Sequence, residues 1–138
     1  MPGNMGSVRF SLPEPFERAV ESVCSSLASR GLRVAGQLDV SLRVERSLGI
    51  VLAPCKIVFV LPHPSVLSAA NIHPWAAVFL PLHVVISGCG TQTEIQVQSR
   101  VHTAPEADAA ALVAPVVETQ AQIWQAVEAI AMRPSLVV

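Results

Sequence analysis

Charged residues are scarce in this sequence. They make up 14% of its 138 residues, and Lys56 is the only lysine. Nine Lys and Arg residues against ten Asp and Glu residues leave a formal net charge of -1. Nucleic-acid-binding proteins usually carry an excess of positive charge, so we predict no nucleic-acid partner. Hydrophobic residues make up 51% of the chain, which excludes a disordered protein and predicts a single folded domain over residues 1–138.

Cysteine is also sparse, and long apolar runs are absent. Cys24, Cys55 and Cys89 are widely spaced and form no C-x-x-C motif, which is typical of reduced thiols in the cytoplasm. Residues 1–7 lack the basic start and the apolar run of a secretory signal. The most apolar stretch, residues 50–86, is interrupted by prolines, histidines and Lys56, which argues against a transmembrane helix. We therefore expect a soluble, cytoplasmic protein with no membrane partner.

The common motifs of catalysis and cofactor binding are missing. No acidic residue occurs between Glu45 and Glu94, a stretch of forty-eight residues, which argues against a pair of catalytic carboxylates of the glycosidase type. The sequence contains no G-x-S-x-G motif and no glycine-rich phosphate loop before a helix. The histidines at 63, 73 and 83 fall on different predicted elements and form no H-x-x-x-H pair. We predict neither a metal site nor an organic cofactor.

The periodicity of the apolar residues predicts the fold. Alternating or continuous apolar runs predict strands at residues 8–12, 32–40, 55–61, 82–86 and 95–101. Apolar stripes at helical spacing predict helices at about 14–30 and from 105 to 132, and residues 41–48 predict a short helix that Gly49 ends. The order β-α-β-β-β-β-α, apart from the short inserted helices, indicates an α+β fold. It has a largely antiparallel sheet of about five strands with helices packed on one face.

Local signals predict where the helices begin and end. Ser11-x-x-Glu14 has the pattern of a capping box for the first helix. Gly31 is expected to end that helix in a left-handed conformation. Pro115 is expected to break or kink the last helix and to leave a short piece and a long one.

Several of these elements resemble the family known as domain of unknown function 302. Arg30-Gly31-Leu32 leads into a strand, Gly49-Ile50 is followed by Pro54, and Leu80-Pro81-Leu82 enters the next strand, as in that family. The resemblance covers roughly residues 8–100. Two departures are the Pro62-His63-Pro64 turn, where the family has Gly-Asn-Pro, and the missing Asp-Pro at the end of the last strand. The resemblance implies a fold similar to that of the TATA-binding protein and often a homodimer, but no activity.

His63 is the leading candidate for a functional residue. Two prolines hold it at the end of an apolar strand, and an imidazole in such a place can exchange protons near neutral pH. Apolar residues from the same segment, with the polar side chains nearby in sequence, are expected to line a hydrophobic pocket. The predicted ligand-binding set is His63, His73, Phe59, Trp75, Phe79, Arg43 and Arg46. The alternative interpretation of the apolar residues is a core and a dimer interface. His83 is interpreted as a core or interface histidine bonded to backbone.

Three hypotheses about function follow. The first is a homodimeric domain that binds a small, largely apolar molecule. The second is a cofactor-independent enzyme that acts on a small hydrophobic specialised metabolite. In that enzyme His63 would be the general acid or base, while Glu45, Arg43 or Arg46 would orient it or the substrate. The third is a protein-interaction module whose apolar surface is covered by a partner.

Overall fold

Six strands and three helices make up the described part of the chain. The computed structural model describes residues 7–61, 64, 82–98, 110–131 and 135–137. The strands are β1 (Ser7–Leu12), β2 (Arg33–Asp39), β3 (Cys55–Leu61), β4 (Leu82–Cys89), β5 (Gln92–Gln98) and β6 (Ser135–Val137). The helices are α1 (Phe16–Ser29), α2 (Val40–Leu48) and α3 (Ala110–Glu128).

All six strands belong to one antiparallel sheet in the order β2-β3-β4-β5-β1-β6. β1 and β2 are therefore far apart in the sheet, and α1 crosses between them. This arrangement confirms the predicted α+β class with its largely antiparallel sheet. The short β6 was not predicted, because three residues are too few to show an alternating pattern.

The core lies between one face of the sheet and two helices. Every second residue of β1, β4 and β5 is buried, as the alternation in the sequence predicts. On α1, Val20, Val23 and Leu27 form the buried stripe that their spacing predicts. α1 and α3 pack together on this face, where the Ser26 hydroxyl donates to the Ala126 carbonyl at 2.6 Å. We call the opposite side of the sheet the outer face.

The helix ends confirm some of the local predictions and correct others. Gly31 adopts a φ of 76° after α1, and the amides of Gly31 and Leu32 bond back to Ala28 and Leu27 as in a Schellman motif. The predicted capping box is wrong, because α1 begins at Phe16 and its N-cap, Pro15, has no capping side chain. The Glu14 carboxylate instead accepts a hydrogen bond from Ser22 at 3.0 Å.

α3 is a single helix that runs through Pro115, so the predicted break is also wrong. A proline near the start of a 19-residue helix removes one backbone hydrogen bond, and the later turns keep theirs. Within the described ranges no helix, α3 included, is both long and apolar enough to cross a membrane.

Candidate functional site

A small apolar array lies on the outer face, across strands β2, β3 and β4. The register places Gly36 opposite Phe59 and Phe59 opposite His83, in one row across the three strands. The next row consists of Leu38, Ile57 and Val85. Partners in an antiparallel pair point to the same face, so these side chains are neighbours. We call the six positions the outer-face grid: Gly36, Leu38, Ile57, Phe59, His83 and Val85.

All six grid residues are half-buried, and polar residues flank them on β4 and β5. Gln96 of β5 lies opposite Val85, and Ser87 lies opposite Cys55 in the row beyond Ile57. Further along the sheet, Arg9 and Glu94 form an ion pair at 3.5 Å on the same face. Within the described strands the apolar part of the outer face is centred on the grid, and Cys55 and Leu61 extend it by one half-buried position at each end of β3.

His83 occupies the polar corner of the grid. Its ring makes no hydrogen bond to any residue that the structure describes, so the predicted bond to backbone is absent there. His83 was not among the predicted site residues. The alternation of His83 with the buried Leu82 and Val84 would have placed it on the outer face, but only the register shows that it adjoins Phe59.

The predicted charged residues lie on α2, apart from the grid. Arg43 and Arg46 line a surface depression of about 420 Å³, together with Asp39, Leu42 and Ser47. Glu45 is exposed and is not among the described residues that line this depression. The described lining does not include Phe59 either, so the structure does not bring Phe59, Glu45 and the two arginines into one site.

Hydrogen bonds fix the start of α2 beside that depression. The Asp39 carboxylate accepts from the Leu42 amide at 2.8 Å and from the Ser41 hydroxyl at 2.7 Å. The hydrogen bond from the Leu42 amide has the largest effect on the Asp39 carboxyl and lowers its pKa below the ordinary value. The hydrogen bond from the Ser41 hydroxyl lowers this pKa further. The Ser41 hydroxyl also accepts from the Cys55 amide at 3.3 Å, which ties α2 to the start of β3. Asp39 is thus a structural N-cap in an arginine-lined depression.

Four of the predicted site residues lie outside the described residues: His63, His73, Trp75 and Phe79. Their roles stay predictions, including the proposed acid–base role of His63. The predicted absence of a metal site also stays a prediction, since two of the histidines concerned are among them.

Two of the three cysteines have the properties of unreactive thiols. Cys24 and Cys55 are free and half-buried. Burial raises the pKa of the Cys24 thiol, against weaker lowering effects from the Gln37 hydrogen bond and the Lys56 charge. Burial, with a further contribution from the Asp39 charge, raises the pKa of the Cys55 thiol. A raised pKa leaves little thiolate at neutral pH, so neither residue is a candidate nucleophile.

A second apolar surface covers α2 and the connection from α2 to β3. Five large apolar side chains are exposed there: Leu42 (41%), Leu48 (68%), Ile50 (51%), Val51 (79%) and Leu52 (43%). We call these five residues the 42–52 surface. Single exposed apolar residues are common in proteins, but five within eleven positions form a patch of the kind that marks interaction sites.

Comparisons with known proteins identify a family and give no activity. The sequence model of the family described as "Domain of unknown function DUF302" matches residues 8–130. The fold is similar to the crystal structure of an uncharacterized conserved protein DUF302 from Bacillus stearothermophilus. That match has a TM-score of 0.69 and 17% sequence identity, and it covers 90% of this chain and 97% of the other. No curated protein matches the sequence.

Proposed function

Since the chain belongs to the DUF302 family, whose description contains no activity, we propose a function from the geometry alone. The proposed function is to bind a small, largely apolar molecule on the outer-face grid, with Phe59 at its centre. The observation that carries this proposal is the cluster of four half-buried apolar side chains, with Gly36 and His83, in two adjacent rows of three strands. Binding there requires no cofactor.

The size of the grid favours a small molecule over a protein. Two strand spacings and two residue steps give an area of about 10 by 7 Å, or roughly 70 Å². A stable protein interface needs about 800 Å² on each partner. At about 25 cal/mol per Å², covering the grid and an equal area of ligand contributes about 3–4 kcal/mol. That free energy corresponds to a dissociation constant of about a millimolar, which one or two hydrogen bonds would lower.

A thermal-shift titration tests the proposal. The probes are three largely apolar hydroxyl compounds: 1-octanol, decahydro-2-naphthol and 2-naphthol. We expect at least one of them to raise the melting temperature of the wild-type protein, since a ligand that binds only the folded state stabilises it. Phe59→Ser should abolish that increase.

The control is Val117→Ser, which removes an exposed apolar side chain from α3, away from the grid. It should leave the ligand-induced increase unchanged. If Phe59→Ser and Val117→Ser both respond like the wild type, the grid is not the binding site.

The proposal includes a homodimer in the cytoplasm. The 42–52 surface supports the dimer, because five large apolar side chains are exposed there within eleven positions, more than a monomer usually leaves in contact with water in one place. The free thiols of Cys24 and Cys55 support the cytoplasmic location.

Sedimentation velocity tests the dimer and its surface together. We expect the wild-type protein to sediment as a dimer and Val51→Asp as a monomer, since burying an unpaired carboxylate in an apolar interface is unfavourable. Val117→Asp places the same charge on an equally apolar, exposed position of α3 and should remain dimeric. A dimer that survives Val51→Asp, or a monomeric wild type, refutes this part of the proposal.

A further inference from the structure

Gly36 is a glycine that nothing in the described structure requires. Its φ is not positive, in contrast to Gly31, Gly49 and Gly90, so any residue could adopt its backbone conformation. A Cβ added there would meet no described atom within 4 Å. A glycine inside a strand weakens the strand and often marks either a β-bulge or a place where another molecule approaches the backbone closely. A bulge lies between Val34 and Gly36, but the φ of Gly36 is not positive, so the bulge does not require a glycine there. The missing side chain leaves a notch on the outer face beside Phe59.

The dimensions of the notch match an aromatic contact. Adjacent strands are about 4.8 Å apart, so a group that lies over Gly36 is about that far from the base of Phe59. Aromatic rings pack with their centroids about 4.5–7 Å apart. β2 is an edge strand of the sheet, and no described residue covers the notch from the side of the sheet or from above. A flat ring has the shape that contacts the bare peptide of Gly36 and the ring of Phe59 together.

His83 continues the same row on the other side of Phe59. The distance from Gly36 to His83 is two strand spacings, or about 10 Å. This is about the length of a compound with two fused rings and one substituent. The imidazole of His83 makes no hydrogen bond to a described residue and can donate or accept one.

We propose that the grid takes a flat, fused-ring compound that spans the row from Gly36 to His83. The ring system lies over Gly36 and against Phe59, and a hydroxyl or carbonyl oxygen at its far end bonds to His83. This inference rests on the proposed function, because it names the class of ligand for the same surface.

Fluorescence titration of 2-naphthol tests the inference, with displacement by two analogues. Decahydro-2-naphthol has the same skeleton and hydroxyl but no flat ring, and 2-methylnaphthalene keeps the ring without the hydroxyl. We expect the wild-type protein to bind 2-naphthol about tenfold more tightly than decahydro-2-naphthol and about fivefold more tightly than 2-methylnaphthalene.

Variants assign these preferences to residues. Gly36→Val fills the notch and should weaken the binding of 2-naphthol at least tenfold, and Gly36→Ala should weaken it less. His83→Leu should bind 2-naphthol and 2-methylnaphthalene equally. Ser11→Val adds the same side chain as Gly36→Val to the outer face of β1, outside the grid, and should bind like the wild type. Circular dichroism establishes that each variant is folded.

The outcomes separate this inference from the proposed function. If decahydro-2-naphthol binds as tightly as 2-naphthol and Phe59→Ser abolishes both, the flat-ring inference fails and the apolar-ligand function stands. If Gly36→Val is folded and binds 2-naphthol like the wild type, the notch is not used and the inference also fails. If neither 2-naphthol, decahydro-2-naphthol nor 1-octanol binds at millimolar concentration, both are refuted.

Discussion

Replacing Gly36 with alanine is expected to make the protein more stable. Alanine lowers the conformational entropy of the unfolded chain, and the native backbone at position 36 accepts it without strain or collision. Such a substitution raises the free energy of unfolding by about 0.4–1 kcal/mol. For a domain of this length the increase corresponds to about 1–4 °C in melting temperature. If Gly36→Ala is more stable and also binds the ligand more weakly than the wild type, then Gly36 is needed for ligand binding and not for folding.

Gly31→Ala is the matched control for this prediction. A Cβ at position 31 also meets no described atom within 4 Å, but the φ of 76° is left-handed. An L-residue with a Cβ loses about 1–2 kcal/mol in that conformation, which exceeds the gain from the unfolded state. We therefore expect Gly31→Ala to lower the free energy of unfolding by about 1 kcal/mol. The two substitutions differ in backbone conformation and not in available space.

Urea unfolding followed by circular dichroism measures both variants. The free energy of unfolding should fall with urea concentration at the same slope in the variants as in the wild type. A change in the midpoint urea concentration then measures the change in stability. A Gly36→Ala variant that is less stable than the wild type by about 0.5 kcal/mol or more would refute the reasoning, since it would mean that the notch is needed by the fold.

Two further predictions concern the core and the start of α2. Phe10 is fully buried, and its ring packs edge-on against Trp124 with the ring centroids 5.6 Å apart. Phe10→Ala should therefore lower the free energy of unfolding, measured by urea denaturation, by about 3–5 kcal/mol. A loss below about 1 kcal/mol would contradict the assignment of Phe10 to the core. Asp39→Ala removes the N-cap that accepts from Leu42 and Ser41. Folding lowers the pKa of the Asp39 carboxyl below its ordinary value of 3.8. The ionised carboxylate therefore stabilises the folded protein fully above pH 3.8, and this stabilisation is lost as the pH falls through the pKa of the folded state. The stability difference between wild type and variant should therefore shrink below about pH 4 in denaturation at several pH values, and a pH-independent difference would contradict the capping role.

The sequence predicted the secondary structure better than it predicted the site. Alternating apolar residues gave the strands because one face of the sheet is buried, and that burial imposes a period of two on the sequence. Gly31 and Gly49 correctly predicted the ends of α1 and α2, because a helix often ends at a residue with left-handed backbone, and glycine adopts that conformation most easily. The start of α1 was missed because Ser11 belongs to β1, where its hydroxyl bonds to Gln92 and not to a helix amide.

The grid could not be predicted because it depends on strand register. Gly36, Phe59 and His83 are separated by more than twenty residues along the chain, and only the pairing of β2, β3 and β4 places them in one row. The bulge between Val34 and Gly36 shifts that pairing by one residue, and no periodic pattern reveals such a shift. Phe59 was predicted to line a pocket because it lies in an apolar segment of the sequence, whereas Gly36 was not among the predicted site residues.

Methyl NMR with 2-naphthol tests the central claim most directly. The methyl groups of Ile57 and Val85 lie in the grid, while those of Ile86 and Ile123 lie in the core on the other side of the sheet. We predict that the ligand shifts the resonances of Ile57 and Val85 in a saturable way and leaves those of Ile86 and Ile123 in place. Saturable shifts confined to other methyl groups, or no shifts at millimolar 2-naphthol, would contradict binding at the outer-face grid.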